Sequence, residues 1–279
     1  MPELPEVETI RNGLEKYLVG ARIMDIDVRL PRIFSGSKDS LVGAKVDGVR
    51  RFGKGLVIDF DNDYALAIHV KMTGQLVFLP TGEEGKYEKK KVGATLPGQH
   101  THVVMLFDHG TLYYNDIRQF GWLQAVRKID LKKIPFFKTL GKEPLKDLDF
   151  KDFTAVLRSG SSIKNVIMDQ AKIAGVGNIY ANDALFLAKI HPKRRASSLS
   201  AEEQERLFLA IEEVLQKGLA TGGASEWQYV NVDGQSGGYQ NFFQVYGKVG
   251  KPCVNCGVKI EKITLGGRGT FFCASCQKI

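Results

Sequence analysis

The chain has 279 residues, enough for two domains with cores of their own, and its 43% hydrophobic and 25% charged content excludes long disorder. Thirty-nine Lys and Arg against thirty-one Asp and Glu give a formal charge of +8 and a pI near 9.2, which favours a polyanionic partner without identifying one. No apolar run reaches the roughly eighteen residues of a membrane span, and the acidic, proline-bearing start lacks the basic and apolar regions of a signal peptide, so a cytoplasmic protein with no membrane partner is expected.

The first predicted element begins almost at once. In MPELPEVETI, Pro5 suits the first helical turn, and Glu6 and Glu8 suit the positive end of a helix dipole. Val7, Ile10, Leu14, Tyr17 and Leu18 keep to one face of a 3.6-residue period, and Gly20 follows where the helix would stop. Pro2 and Glu3 lie ahead of that helix, and helix formation gives no reason for them.

Period-two patterns come next. In IMDIDVRL, Ile26, Val28 and Leu30 share one side, and GLVIDF, YALAIHV, VVMLF and TLYY continue the strand signal. Residues 1 to about 130 therefore read as a largely antiparallel, two-layer β domain with one prominent helix. Within it, GEEGKYEKKKVGATLPG reads as an exposed charged loop. LKKIPFFKTLGKEPLKDLDF, residues 131–150, reads as a linker. A helical domain over 151–248 follows, in which Ser200 and Glu203 form a capping-box signature ahead of Leu207, Ile211, Val214 and Leu215 on one face. TGGASEWQYVNVDGQSGGY interrupts it with a glycine-rich stretch over 222–239, long for a connector.

All four cysteines fall in the last 27 residues, as CVNC (Cys253, Cys256) and CASC (Cys273, Cys276) with sixteen residues between the pairs. This spacing is that of a tetrahedral zinc site, and four thiolates leave no open position for chemistry, so one structural Zn²⁺ is expected to fold the segment 249–279. Binding it as four thiolates would change the formal charge from +8 to about +6, so the basic excess survives. Between the pairs, KIEKITLGGRGTFF reads as a β-hairpin turning at Gly266 and Gly267, with Arg268 on a rigid mount from which it can grip a phosphate or remain a solvated surface residue. Zinc ribbons also serve as binding modules without catalysis.

Taken in order, MPELPEVET, HVKMTG, NDIRQFG, GVGNIYANDALF, HPKRRASSLS and the terminal C-x2-C-x16-C-x2-CQ closely resemble the bacterial formamidopyrimidine-DNA glycosylase family over essentially the whole chain. The resemblance implies an α+β protein: an N-terminal β-sandwich with a catalytic helix, a helix-two-turn-helix domain and a zinc-binding β-hairpin, with DNA in a basic cleft. It also implies a monomeric, bifunctional repair enzyme of the bacterial cytoplasm and nucleoid, acting on double-stranded DNA with oxidised bases or abasic sites. By that resemblance the initiator methionine is removed, Pro2 is the nucleophile and Glu3 the general acid/base, its pKa needing to be raised by burial, with Lys54 and Arg268 completing the catalytic set.

The same resemblance places Glu6, His69, Met72, Arg118, Phe120, Lys164 and Asn178 in the DNA-binding set. Glu6 positions the amino terminus, Met72, Arg118 and Phe120 fill the gap left by an extruded nucleotide, and the others meet phosphate. Asn178 begins a helix after a glycine turn, where backbone N–H groups face an anion. The loop from Gly222 to Tyr239 folds over the extruded purine. The chain departs from the common family pattern at Gly55, Ile117, Gln119 and Asp183. Two alternatives stay open: an endonuclease VIII-like enzyme for oxidised pyrimidines, and a non-catalytic DNA-binding protein. ELPEVE and the long glycine-rich loop favour the purine branch, and an intact Pro2, Glu3 and Lys54 disfavour the non-catalytic reading.

Overall fold

The computed structural model describes residues 1–83 and 85–279. These divide into two compact units: residues 1–138 with 219–240, and residues 139–218 with 241–279.

The first unit begins with helix α1 (Leu4–Leu18), on which Val7, Ile10, Leu14 and Leu18 are wholly buried, as the periodicity predicts. Lys16 sits in its last turn, and Gly20 ends it at φ +86°, a backbone conformation that costs glycine least. The strands β1 (Ile23–Val28), β2 (Phe34–Ser35), β3 (Val46–Phe52), β4 (Gly55–Phe60), β5 (Tyr64–His69) and β6 (Gly74–Pro80) follow. A short helix α2 (Lys89–Val92) precedes β7 (Thr101–Phe107), β8 (Gly110–Asp116) and β9 (Trp122–Arg127), and α3 (Pro135–Lys138) closes the run. Strand β1 stops at Val28, so Leu30, expected to continue it, lies in the turn entering Pro31.

Two sheets result, one ordered β1-β7-β8-β6 and one ordered β2-β9-β5-β4-β3, antiparallel throughout except for the β2–β9 pair. Their facing apolar residues and the buried face of α1 form one core, which includes Ile26, Ile58, Leu66, Leu76, Met105 and Leu123. Each such side chain contributes about 1.5–3 kcal/mol by leaving water.

Three sequence-based expectations change here. The charged segment near residue 88 is not simply an exposed loop, because it contains α2 and buries Val92 against Val77 and Val230. The span 131–138 belongs to the β unit: Phe136 and Phe137 pack edge-on to each other and to Trp122, a cluster that a solvated linker would not form. The glycine-rich stretch, expected within the helical domain, lies with the first unit. Gly13 of α1 leaves room for Val232, which a Cβ there would meet at 2.9 Å. The N–H of Phe78 on β6, an edge strand, donates to Val232 O at 2.8 Å, so the stretch covers that edge.

The second unit holds α4 (Phe150–Val156), α5 (Ile163–Met168), α6 (Asn178–Leu187), most of α7 (Ala201–Ala220), and the hairpin of β10 (Glu261–Leu265) and β11 (Arg268–Phe272). The capping box before α7 is present: Ser200 N–H donates to Glu203 Oε2 at 2.9 Å, and Glu203 N–H to Ser200 Oγ at 3.3 Å. Leu207, Ile211, Val214 and Leu215 are buried along that helix.

Candidate active site and metal centre

Pro2 and Glu3, which helix formation left unexplained, are both buried, while Met1 ahead of them is 38% exposed. Glu3 is the N-cap of α1, and its N–H donates to Glu6 Oε2 at 2.7 Å. The other carboxylate oxygen of Glu6 accepts the N–H of Ala224 at 2.7 Å. The Tyr229 hydroxyl donates toward Glu6 O at 3.3 Å and Gly222 O at 3.1 Å, and burial, with the Glu6 charge second, pushes its pKa far up. Glu6 is thus a buried brace between the amino terminus and the glycine-rich stretch. It is 1% exposed, and both of its carboxylate oxygens accept backbone N–H groups.

Lys54 follows Gly53, which adopts φ +55° in the turn between β3 and β4. Arg51 holds that turn by donating to Gly53 O at 2.9 Å, while its Nε donates to Glu8 Oε2 at 2.6 Å. Burial alone would raise the pKa of Glu8, but hydrogen bonds and charge from Arg51 and Arg11 outweigh it and hold the carboxyl below its usual range. The departure at Gly55 has a physical reason. A Cβ there would lie 2.5 Å from the Phe136 ring, so the aromatic mass comes from α3. That same ring packs edge-on against His69, with centroids 4.6 Å apart.

His69 ends β5 at 4% exposure. Desolvation, then the charges of Lys71 and Lys54, push its pKa down to about 3, so it is neutral at pH 7. Its Nδ1 accepts the Lys71 N–H at 3.0 Å, which leaves the ring proton on Nε2 as a donor.

Met72, Arg118 and Phe120 meet on one patch. Arg118 Nη1 lies 3.0 Å from Met72 Sδ, and its guanidinium stacks 4.6 Å from the Phe120 ring centroid, with Phe120 54% exposed. The buried Asp116 carries the loop that presents them, because its carboxylate accepts Gly121 N–H at 2.8 Å and the Thr73 hydroxyl, and Thr73 Oγ1 in turn accepts Arg118 N–H at 3.0 Å. Gln119, a departure from the family pattern, takes φ +56° and accepts a hydrogen bond from Arg32. Nothing in the structure explains Ile117, which is exposed.

In the second unit, α5 and α6 support the hairpin through polar contacts. Lys164 Nζ donates to Gly269 O at 3.1 Å and Thr270 Oγ1 at 2.7 Å, and Asn178 Nδ2 donates to Gly269 O at 3.1 Å. Asn182 Oδ1 accepts Phe271 N–H at 2.8 Å. Lys164 is wholly buried and supports the hairpin from below. Asn178 is partly exposed at the start of α6, which follows Gly177 and has no side-chain cap, and its amide donates to Gly269 O. Asp183, the shorter acid, is buried and accepts Val245 N–H at 3.0 Å and Tyr246 N–H at 3.2 Å.

The β10–β11 hairpin turns at Gly266 and Gly267, both at positive φ, as a two-residue turn of this hand requires. Arg268 opens β11 and is exposed. The four Sγ atoms of Cys253, Cys256, Cys273 and Cys276 lie within 4.8 Å of one another, with Cys256–Cys273 at 3.5 Å and Cys253–Cys276 at 3.9 Å. Four thiolates about 2.3 Å from a tetrahedral zinc stand roughly 3.8 Å apart, so the cluster fits one structural Zn²⁺.

Comparison with known proteins places this architecture among the DNA-repair glycosylases that carry a zinc finger. Residues 1–123 match the formamidopyrimidine-DNA glycosylase N-terminal domain, residues 140–228 the formamidopyrimidine-DNA glycosylase H2TH domain, and residues 250–279 the zinc finger found in FPG and IleRS. The chain is 41% identical to the formamidopyrimidine-DNA glycosylase of Listeria monocytogenes and 39% identical to that of Pelotomaculum thermopropionicum, each over 100% of both chains. A solved complex of a Lactococcus lactis variant with DNA containing Fapy-dG superposes with a TM-score of 0.89 at 37% identity, covering 100% of both chains. The chain belongs to the formamidopyrimidine-DNA glycosylase family. Among the described residues, no helix is long and apolar enough to cross a membrane.

The fold class and the zinc site were legible from the sequence. Asp116, Arg51 with Glu8, and Phe136 were not singled out. Asp116 lies inside the NDIRQFG motif and could have been found there; Phe136 carries no sequence signal, because its partner Gly55 is remote in the chain.

Proposed function

We propose that this protein excises oxidised purines, 8-oxoguanine and formamidopyrimidines, from double-stranded DNA in the cytoplasm and nucleoid, and then cuts the strand at the abasic site. The observation that carries the reading is the buried Pro2–Glu3 pair at the start of α1, braced through Glu6. With Met1 removed, the Pro2 amine titrates near pH ~8, so a useful fraction is neutral at pH 7. It bonds to C1′ as the glycosidic bond breaks, and Glu3 handles the protons. Ring opening yields an iminium, which accepts the electrons released when the C2′ proton is lost. The 3′ phosphate leaves by β-elimination and the 5′ phosphate by δ-elimination.

The remaining residues have complementary tasks. Lys54 and Arg268 supply charge to phosphates near the lesion, and neutral His69 supplies an N–H. Met72, Arg118 and Phe120 enter the duplex where the nucleotide has left, the arginine facing the orphaned base. The 222–239 stretch closes on the extruded base, a reading supported by its attachment to Glu6 and by Trp227, 73% exposed near its tip.

Borohydride reduction on a duplex with a single abasic site tests the mechanism. The expected product is a covalent adduct that peptide mapping assigns to Pro2, and a crosslink on Lys54 or another lysine overturns it. Duplexes with 8-oxoguanine or an oxidised pyrimidine, resolved by product size, distinguish the purine branch from its pyrimidine-acting relatives. Shortening 222–239 should reduce 8-oxoguanine excision far more than cleavage at a preformed abasic site, and no loss on either substrate returns the stretch to a connector.

A further inference from the structure

The KYEKKKV segment looks in the sequence like solvated charge, yet it engages the glycine-rich stretch more closely than any reading of composition suggests. Main chain meets main chain where Glu88 N–H donates to Gly234 O at 3.0 Å. Gly234, at φ +73°, has no room for a side chain, since a Cβ would lie 2.3 Å from Tyr87 Cβ. Gln235 Nε2 donates to Lys86 O.

Ser236 is gripped from two sides. Lys91 Nζ donates to Ser236 Oγ at 2.7 Å, and Ser236 N–H donates to Glu88 Oε1 at 2.8 Å. Lys91 Nζ also donates to Ser225 O at 3.0 Å, so one ammonium joins both arms of the stretch. Below them, buried Gln75 donates to Lys91 O at 3.2 Å and Gln228 O at 2.5 Å. Glu6 holds Ala224 on the near side. The span left between these attachments is short, and Trp227 within it is 73% exposed.

We propose that residues 86–92 are a clasp for the glycine-rich stretch, with Lys91 and Glu88 as positioning residues that set which base is excised. The inference rests on the reading that this stretch closes on the extruded base. A base is selected by donors and acceptors at defined places, and a segment free to wander over several conformers presents them in only a fraction of molecules. The clasp removes that freedom from residues 225–236 and confines movement to the tip around Trp227. Lys91 thereby acts through the backbone it holds and needs no contact with DNA.

The test uses the full-length zinc-loaded protein with Lys91→Met, which keeps the length of the side chain and removes its donors. Single-turnover excision of 8-oxoguanine should fall at least about tenfold, the size of one charge-assisted hydrogen bond, since the contacts to Ser225 and Ser236 are both lost. Cleavage of a preformed abasic site should be unchanged, and amide hydrogen exchange across 222–240 should accelerate while α1 stays protected. Ser236→Ala should reproduce the pattern, and Lys91→Arg, which retains donors, should restore part of the excision rate. Equal losses on both substrates would show that Lys91 serves DNA binding and overturn the clasp, as would faster exchange with unchanged excision. If the shortened 222–239 variant loses excision while Lys91→Met alters neither excision nor exchange, the clasp fails and the loop reading stands. If the shortened variant keeps full excision, the loop reading itself fails.

Discussion

The metal centre with its hairpin turn and the amino-terminal site are built over very different chain distances, although the polar supports beneath the hairpin, Lys164, Asn178 and Asn182, are themselves 89 to 106 positions from their partners. In the hairpin, the metal ligands lie between Cys253 and Cys276 and the turn is two consecutive glycines, so neighbours in sequence are neighbours in space. In the amino-terminal site, Glu6 receives an N–H from a residue 218 positions away. The Phe136 ring occupies the volume beside Gly55, and the clasp joins Lys91 to Ser225 and Ser236 across 134 and 145 positions. The difference teaches that a site closed by short loops announces itself in spacing, whereas a site closed by long ones depends on the whole unit folding first.

The largest expected effect breaks the hairpin. Zinc binding in such sites is worth roughly 10 kcal/mol or more of folding free energy, so Cys273→Ser should lose the metal and unfold residues 250–279. Metal analysis and a DNA-binding titration check this; retained zinc with unchanged affinity defeats the assignment. Amide exchange in α1 should remain as in the parent protein, because the core that buries Val7, Ile10, Leu14 and Leu18 is formed by residues of the first unit.

The corresponding break at the amino terminus is Glu6→Ala. It leaves the N–H groups of Glu3 and Ala224 without their acceptor, a cost of about 2–4 kcal/mol. Chemical denaturation should show the loss, and both base excision and borohydride trapping should decline. Normal trapping with normal stability would remove the carboxylate from its bracing role.

A smaller effect is expected at the aromatic cover. Phe136→Ala should cost about 2 kcal/mol by opening a gap over Gly55 and His69. Gly55→Phe alone should be destabilising by overlap with Phe136, and the double variant should recover part of the loss. Simple addition of the two costs would mean that the two positions do not share one volume.

Acid provides the smallest and most local distinction. The folded His69 has a pKa near 3 against an ordinary value of 6.5, so the unfolded chain binds its proton first. Its contribution to stability is complete above pH 6.5 and is lost progressively as the pH falls toward 3. Between pH 6.5 and 5.5 that loss amounts to about 1 kcal/mol. Denaturation of the parent and of His69→Gln at both pH values should show a shallower decline in the variant; parallel declines would place the protonation elsewhere.

The site was legible where its chemistry is written in short motifs. Pro2 stands out because α1 starts after it, Glu3 also caps that helix with Glu6, and Met72, Arg118 and Phe120 belong to two short motifs that the β sandwich brings together. Lys164 was singled out by the family resemblance, and only the structure shows that it is buried and donates to Gly269 and Thr270 of the hairpin. The segment around Lys91 read as an exposed charged loop because its lysines look solvated in sequence, and only the structure shows Lys91 bonded to Ser225 and Ser236.

Hydrophobic periodicity determined α1 and most of the strands, cysteine spacing determined the metal centre, and paired glycines determined the hairpin turn, because each of these is a relation between residues a few positions apart. The assignment of residues 219–240 to the amino-terminal unit, the burial of Lys164 and the exchange of mass between Gly55 and Phe136 were decided only in the tertiary structure. Those features arise from contacts between distant segments, and their free energy comes from desolvation and from satisfying buried donors and acceptors, quantities that exist only once the chain is packed.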